Sequence, residues 1–394
     1  MGMNIKLDQL LNLPELEITL VEIEDSRMTI HCKSRLGEAI CPSCLKPTKE
    51  VRRYYHRRIR DLPITGREVY LDLEERQFYC FDCNRYFSER FSFVDLNRNY
   101  TCRYEDYIYF RCEGSTIRQI SLQENLLWDV VDDIFIRWAQ RDIDSPREVR
   151  WLGIDELSLR KGHRSYACVL IDLERACVID ILPKRTVEYL SAYFRNKGEV
   201  FLSGIEIFSS DMWDGFVKVA QKLMPQAMIV VDRFHVTGQL CDALDRYRRH
   251  LRRDHPKQEV LKGIKWLLLK HREELTEEEQ DRLEAAFECF PQLEQCYFLK
   301  ETFRLWFDQF HSLEKAERFL GFWIEQAEAL QNRYLDRFLK TLCRWKDKIL
   351  NYFRCGVTNG LVEGMNHAIR QIMRRAYGYS NFQHFRLRVL VECR

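Results

Sequence analysis

The chain has 394 residues, with 62 Lys and Arg against 60 Asp and Glu, so its net charge of +2 neither implies nor excludes a polyanionic partner. Hydrophobic residues make up 46% and charged residues 31%, which excludes wholesale disorder, and 16 Gly with 9 Pro exclude a collagen-like chain. No apolar run is long enough to span a membrane, and Met1-Gly-Met-Asn-Ile-Lys lacks a signal-peptide pattern, so a cytoplasmic protein of several domains is expected. The 15 Cys are then buried thiols or metal ligands rather than disulfides.

Residues 1–98 carry strand signals of period two, as in Glu17-Ile-Thr-Leu-Val-Glu22 and Val69-Tyr-Leu-Asp-Leu-Glu74. They also carry two C-x-x-C pairs, Cys41-Pro-Ser-Cys44 and Cys80-Phe-Asp-Cys83, with 35 residues between them. Two tight turns that each present two thiolates complete a tetrahedral zinc site with bonds of about 2.3 Å. The spacing exceeds that of compact fingers, so the strand-like stretch 51–79 must fold as a hairpin that joins the pairs. The alternative is two unrelated pairs of buried thiols, and His31 and Cys32 are spare ligands read as structural.

Between the pairs, Lys46, Lys49, Arg52, Arg53, Arg57, Arg58 and Arg60 face one acid, Glu50, within 15 residues. Tyr54, Tyr55 and His56 interleave. Such a local field suits a phosphate backbone, and Arg52, Arg53, Arg57, Arg58 and Arg60 are the expected DNA contacts. The plainer reading is a solvated face.

Residues 99–146 predict three short helices, over 104–112, 117–122 and 127–140. They resemble a helix-turn-helix with the third as reading helix. Asp129, Asp132 and Asp133 on that helix oppose a phosphate-lined groove, so a structural helical unit is the equal alternative.

From 151 the signals run strand, strand, strand, helix, strand, helix, strand: 151–157, 166–173, 177–182, 186–195, 204–210, 213–223 and 227–231. Residues 236–353 then read as long helices, and 359–392 is again helical. Asp155 stands on an otherwise apolar strand, where burial of a carboxylate is costly without a cation or donors. Asp211 and Asp232 end two further strands, and Glu363 lies early in the last helical segment. Arg370 follows Glu363 by seven residues, nearly two turns, and so projects from the same face.

With these residues in view, the chain resembles insertion-sequence transposases of the ISL-three group over essentially its whole length. The resemblance rests on the cysteine pairs followed by Arg85-Tyr-Phe-Ser-Glu-Arg90, on Gly153-Ile-Asp-Glu156, Ser210-Asp-Met-Trp213 and Asp232-Arg-Phe-His-Val236. It rests further on Thr358-Asn-Gly360, Glu363-Gly-Met-Asn366 and Arg375-Ala-Tyr-Gly-Tyr379. It implies a multidomain α+β protein. An N-terminal zinc-binding module (1–98) and a helix-turn-helix-like domain (99–146) precede a ribonuclease-H-like α/β catalytic core (147–238). An all-α insertion (239–355) interrupts that core, and 356–394 completes it with the final Glu.

The resemblance also implies a mixed sheet whose first strand lies beside the fourth. A carboxylate ending the fourth strand then shares a metal with Asp155, since adjacent strands are about 4.8 Å apart. Asp155, Asp211 and Glu363 become the catalytic triad, and Asp232 and His235 an Asp-x-x-His support. Asp155, Asp232 and Glu363 remain the rival set. The implied cofactors are two Mg²⁺ (or Mn²⁺) ions at the acids and one structural Zn²⁺ at Cys41, Cys44, Cys80 and Cys83. The implied activity is metal-dependent cleavage and transfer of DNA strands at the element's inverted repeats, on double-stranded DNA, by a homodimer. Arg370 is expected to support it by holding phosphate beside the metals. The other readings are a non-catalytic DNA-binding derivative and a nuclease on the same fold.

Overall fold

The computed structural model describes residues 11–143, 148–159, 166–309, 312–357 and 360–394. Thr358 and Asn359 of the family motif, and the expected boundary between 146 and 147, lie outside them. The chain divides into two compact units, Met1–Asp144 and Ser145–Arg394.

The first unit is built on strands β1 (Leu16–Ile23), β2 (Arg27–Ser34), β5 (Val51–Ile64), β6 (Arg67–Cys80) and β7 (Arg85–Ser88). Their order is β1-β2-β6-β5, with β7 also paired to β6. The long β5–β6 hairpin turns at Thr65-Gly66, both with positive φ (50° and 79°), the geometry whose twist matches a two-residue hairpin. Alternation buries Val69, Leu71 and Leu73 of β6 against Met28, Ile30 and Ile59. A two-stranded ribbon, β3 (Ala39–Ile40) and β4 (Pro47–Thr48), sits before the hairpin.

Three helices complete this unit: α1 (Cys102–Cys112), α2 (Ile117–Gln123) and α3 (Trp128–Ile143). Asp61, buried on β5, ties them to the sheet: it accepts from Thr101 Oγ1 at 2.7 Å and from Arg103 Nε at 2.7 Å. The predicted zinc-binding and helical segments therefore share one compact body.

The second unit centres on a five-stranded sheet: β8 (Trp151–Ser158), β9 (Tyr166–Asp172), β10 (Cys177–Leu182), β11 (Ile207–Ser210) and β12 (Met228–Val231). The order is β10-β9-β8-β11-β12. β8–β9 and β9–β10 are antiparallel, while β8–β11 and β11–β12 are parallel. The first strand thus lies beside the fourth. Leu152, Ile154 and Phe208 pack one face against α4 (Val187–Lys197) and α6 (Asp214–Leu223), which flank the short α5 (Glu199–Ser203).

Beyond β12 the chain is helical. It runs through α7 (Arg233–Asp254), α8 (Lys265–Leu269), α9 (Glu277–Cys289), α10 (Pro291–Gln309), α11 (Leu313–Ala329), α12 (Arg333–Leu350) and α13 (Tyr352–Cys355). Trp306, Trp323 and Trp345 are core residues of this bundle, whereas Trp266 is 66% exposed. The bundle core runs on to Val217 and Val231, and Asn351 Nδ2 donates to Ile229 O at 2.9 Å, so the helices cover the β12 edge. α14 (Gly360–Arg375) and α15 (Phe382–Glu392) close the chain, α15 beside β10 with Val178 N donating to Cys393 O.

Candidate metal centres and active site

The β3–β4 turn supplies Cys41 and Cys44, and the β6–β7 turn supplies Cys80 and Cys83. All four Sγ atoms lie within 4.8 Å of one another. The residue after each pair, Leu45 and Asn84, has positive φ (60° and 50°), which bends the backbone round the sulfurs. The Cys44 backbone N–H lowers the Cys41 thiol to about 6. The Cys44 thiol first, then burial, push Cys83 up to about 12. Cys41 thus gives up its proton readily while Cys83 holds its own, and the four gathered sulfurs are a ligand set that suits a tetrahedral zinc ion.

The basic run lies on β5, an edge strand. Arg52, Arg53 and Arg58 are exposed, with Arg52 stacked over Tyr79 at 5.4 Å and Arg58 over Tyr70 at 5.9 Å. Arg57 pairs with Glu75 at 3.2 Å. Arg60 is only 7% exposed, paired with Glu68 at 3.2 Å and over the Tyr104 ring at 5.0 Å. Three of the five arginines thus face solvent, and Arg60 is engaged within the fold. In the helical segment, Arg98 pairs with Asp133 on α3 and with Glu105 on α1 at 2.8 Å, so part of α3's acid is neutralised internally.

The acids of the second unit follow from strand register. Ile207 pairs with Trp151 and Ser209 with Gly153, so continuing the ladder two residues sets Asp211 level with Asp155. Ser210 pairs with Val231, which sets Asp232 level with Asp211. The three Asp residues therefore form one row across β8, β11 and β12. Asp211 accepts from Trp213 N at 3.0 Å, and Asp232 caps α7 by accepting from Phe234 N at 3.1 Å.

His235, one turn into α7, links the outer members: its Nε2 is 3.7 Å from Asp155 Oδ1 and 3.8 Å from Asp232 Oδ2. Burial pushes the Asp232 carboxyl up to about 6, with the Asp155 and Glu363 charges adding to it and His235 and the Phe234 N–H opposing. Burial likewise raises Asp211, with Asp155 adding to it. Asp155 first, through its hydrogen-bonding acceptor, raises His235. These acids are short of positive charge, which fits a divalent cation and its hard oxygen ligands. Among the described residues, the four cysteines are the group whose ligand atoms lie close enough together to hold a metal ion as they stand.

Glu363 lies in the first turn of α14, exposed, with the buried Val362 and Asn366 on the neighbouring face. A Cβ on Gly153 would meet Val362 Cγ2 at 3.2 Å, so the missing side chain lets α14 approach β8. Arg370 is partly exposed and has no ion-pair partner among the described residues. Sequence reasoning gave Asn366 no role, yet its Nδ2 donates to Asp155 Oδ2 at 2.6 Å. It also passed over Arg185, which pairs with Glu156 and stacks on Trp213 at 4.6 Å beside Asp211. The place of Asn366 one turn after Glu363 is a usable signal; nothing in the sequence points to Arg185.

Residues 152–389 match the transposase family of the ISL-three group, and residues 37–83 match the zinc-finger of transposase IS204/IS1001/IS1096/IS1165. The chain is 30% identical over 371 residues to the transposase for insertion sequence element IS1001 of Bordetella parapertussis, covering 92% of this chain and 90% of that one. It is 27% identical over 286 residues to the transposase for insertion sequence element IS1557 of Mycobacterium tuberculosis (strain CDC 1551 / Oshkosh), covering 66% of this chain and 64% of that one. The same figures hold for the IS1557 transposase of strain H37Rv.

Proposed function

The chain belongs to the transposase family of the ISL-three group, and from that premise we propose that it binds the inverted-repeat ends of an insertion sequence and cuts and joins DNA strands there. The observation that carries this reading is the row of Asp155, Asp211 and Asp232 across adjacent strand ends, beside the helix bearing Glu363. The 3-2-1-4-5 strand order and the helical insertion before the final Glu support a ribonuclease-H-like core. The five segments 1–98, 99–146, 147–238, 239–355 and 356–394 are its proposed functional divisions.

Asp155, Asp211 and Glu363 are proposed to hold two Mg²⁺ or Mn²⁺ ions. Such ions activate an attacking oxygen and stabilise the leaving oxygen of an in-line displacement. Asp211 is preferred to Asp232 because it is one strand from Asp155 and does not cap a helix. Asp232 and His235 act as support: His235 stands between Asp155 and Asp232 and balances their charge. Water would open a phosphodiester and free a 3′-hydroxyl, which would then displace a strand of target DNA. Arg370, without an acidic partner among the described residues, would hold phosphate beside the acids.

Zn²⁺ at Cys41, Cys44, Cys80 and Cys83 would fix the β5–β6 hairpin, whose exposed Arg52, Arg53 and Arg58 would grip the DNA backbone. Two copies of the chain, one per element end, would assemble on the DNA. The test is incubation of the purified protein with DNA carrying the element's ends and Mg²⁺. Cleavage and strand-transfer products are expected from the native chain and not from Asp155→Ala. Products cut equally by both would remove the assigned site, and cutting without joining would favour a nuclease.

A further inference from the structure

Asn366 is 3% exposed, and its amide faces the first acid of the row. Its Nδ2 donates to Asp155 Oδ2 at 2.6 Å, while its Oδ1 is buried with no hydrogen-bond partner among the described residues. The opposite flip would set two acceptors against each other, so chemistry fixes the orientation. We propose that Asn366 is a positioning residue that aims the Asp155 carboxylate and holds Glu363 in place beside it. This rests on the reading of Asp155 and Glu363 as metal-holding acids.

The geometry explains how one residue does both. Gly153 and Asp155 lie on the same face of β8, two residues apart. Val362, Asn366 and Ile369 are the buried stripe of α14, at helical spacing. Val362 seats against Gly153, and one turn later Asn366 reaches Asp155. Glu363, next to Val362 and three residues before Asn366, is fixed in height along the strand by those two contacts.

The residue type fits the task. Asp at 366 would repel Asp155, an apolar side chain would leave it undirected, and Lys or Arg would neutralise the charge that a cation needs. A neutral amide donor orients one carboxylate oxygen and leaves the other free. Its unpaired Oδ1 adds a buried acceptor beside the carboxylate, suited to a water on a bound ion.

The test is calorimetric titration of Mn²⁺ into the full-length chain, alongside thermal melting. Native protein, Asp155→Ala, Asn366→Leu and Asn366→Ala are compared. Asn366→Leu keeps the branched outline and Asn366→Ala removes the amide without adding bulk or charge, so both chains should still melt cooperatively. The expected result is Mn²⁺ affinity lowered by about 10–100-fold in both Asn366 variants, and Mn²⁺ binding lost in Asp155→Ala. Should Asn366→Leu fail to melt cooperatively, Asn366→Ala carries the test alone. Native affinity in the Asn366 variants, with binding lost in Asp155→Ala, would overturn the role of Asn366 alone. Native affinity in Asp155→Ala would overturn the metal-site reading itself.

Discussion

Gly153 and Val362 meet so closely that a Cβ on the glycine would lie 3.2 Å from Val362 Cγ2, and 2.9 Å from Leu173 Cδ2. Gly153→Ala forces the Leu173 tip aside and lifts α14 from β8. Overpacking of this kind costs about 1–3 kcal/mol, to be read from denaturant unfolding. Cleavage should fall by more than the loss of folded protein explains, because Glu363 rides on the displaced helix.

Asp232 gives a stability prediction with a definite sign. Its carboxyl is raised from 3.8 to about 6 in the folded chain, so between those values the native state binds more protons than the unfolded one. Stability contributed at low pH is therefore lost as pH rises through that window. Asp232→Asn keeps the helix cap, since Asn caps as well as Asp, and removes the buried charge. In metal-free buffer at pH 7 it should gain on the order of 2 kcal/mol, and almost nothing at pH 4. Melting curves at the two pH values, with EDTA, measure this. Added Mn²⁺ should stabilise the native chain more at pH 7 than at pH 5, since a cation replaces the missing positive charge.

The zinc site predicts about one Zn per chain by elemental analysis. Cys44→Ser, or a strong chelator, should open residues 37–83 to proteolysis, because besides the sulfurs the β3–β4 and β6–β7 turns are linked by exposed polar contacts, Lys46 with Asp82 at 2.7 Å and Arg85 with Ser43 at 2.7 Å, which are worth little in water. The second unit should melt unchanged. A metal-free chain that resists protease across 37–83 would contradict the site.

Much of this was legible from the residues. Strand signals located β1, the stretch of β5 and β6 and the five strands of the second sheet, though not β2 or β7, and the C-x-x-C spacing required the hairpin that β5 and β6 form. The apolar runs ending in Asp211 and Asp232 marked strand ends, because a carboxylate there escapes the core. What periodicity cannot carry is register and depth. That Asp155, Asp211 and Asp232 fall in one row depends on ladder pairing between strands far apart in the chain. That Arg60 is buried while Arg58 is exposed depends on Tyr104 arriving from another segment. The Asn366 bond to Asp155 spans 211 positions and has no local signature beyond its place beside Glu363.

The arginines of β5 separate two effects. Changing Arg52, Arg53 and Arg58 together to Ala should weaken DNA binding and flatten its salt dependence by about 0.9 log unit for each phosphate no longer neutralised, with melting unchanged. Arg60→Ala should instead cost about 1–3 kcal/mol of stability, because it strips Glu68 of its partner and empties the space over Tyr104. Fluorescence anisotropy across a salt series, beside thermal melts, distinguishes them.

The most direct measurement is single-turnover cleavage of end-bearing DNA by Glu363→Gln in Mn²⁺. Glu363 is exposed in the first turn of its helix, so Gln preserves the fold and removes only the charged ligand. Cleavage should drop by about 10³-fold or more, while DNA binding and melting temperature stay native. Cutting at the native rate by Glu363→Gln would contradict the assignment of Asp155, Asp211 and Glu363 as the acids that hold the metals.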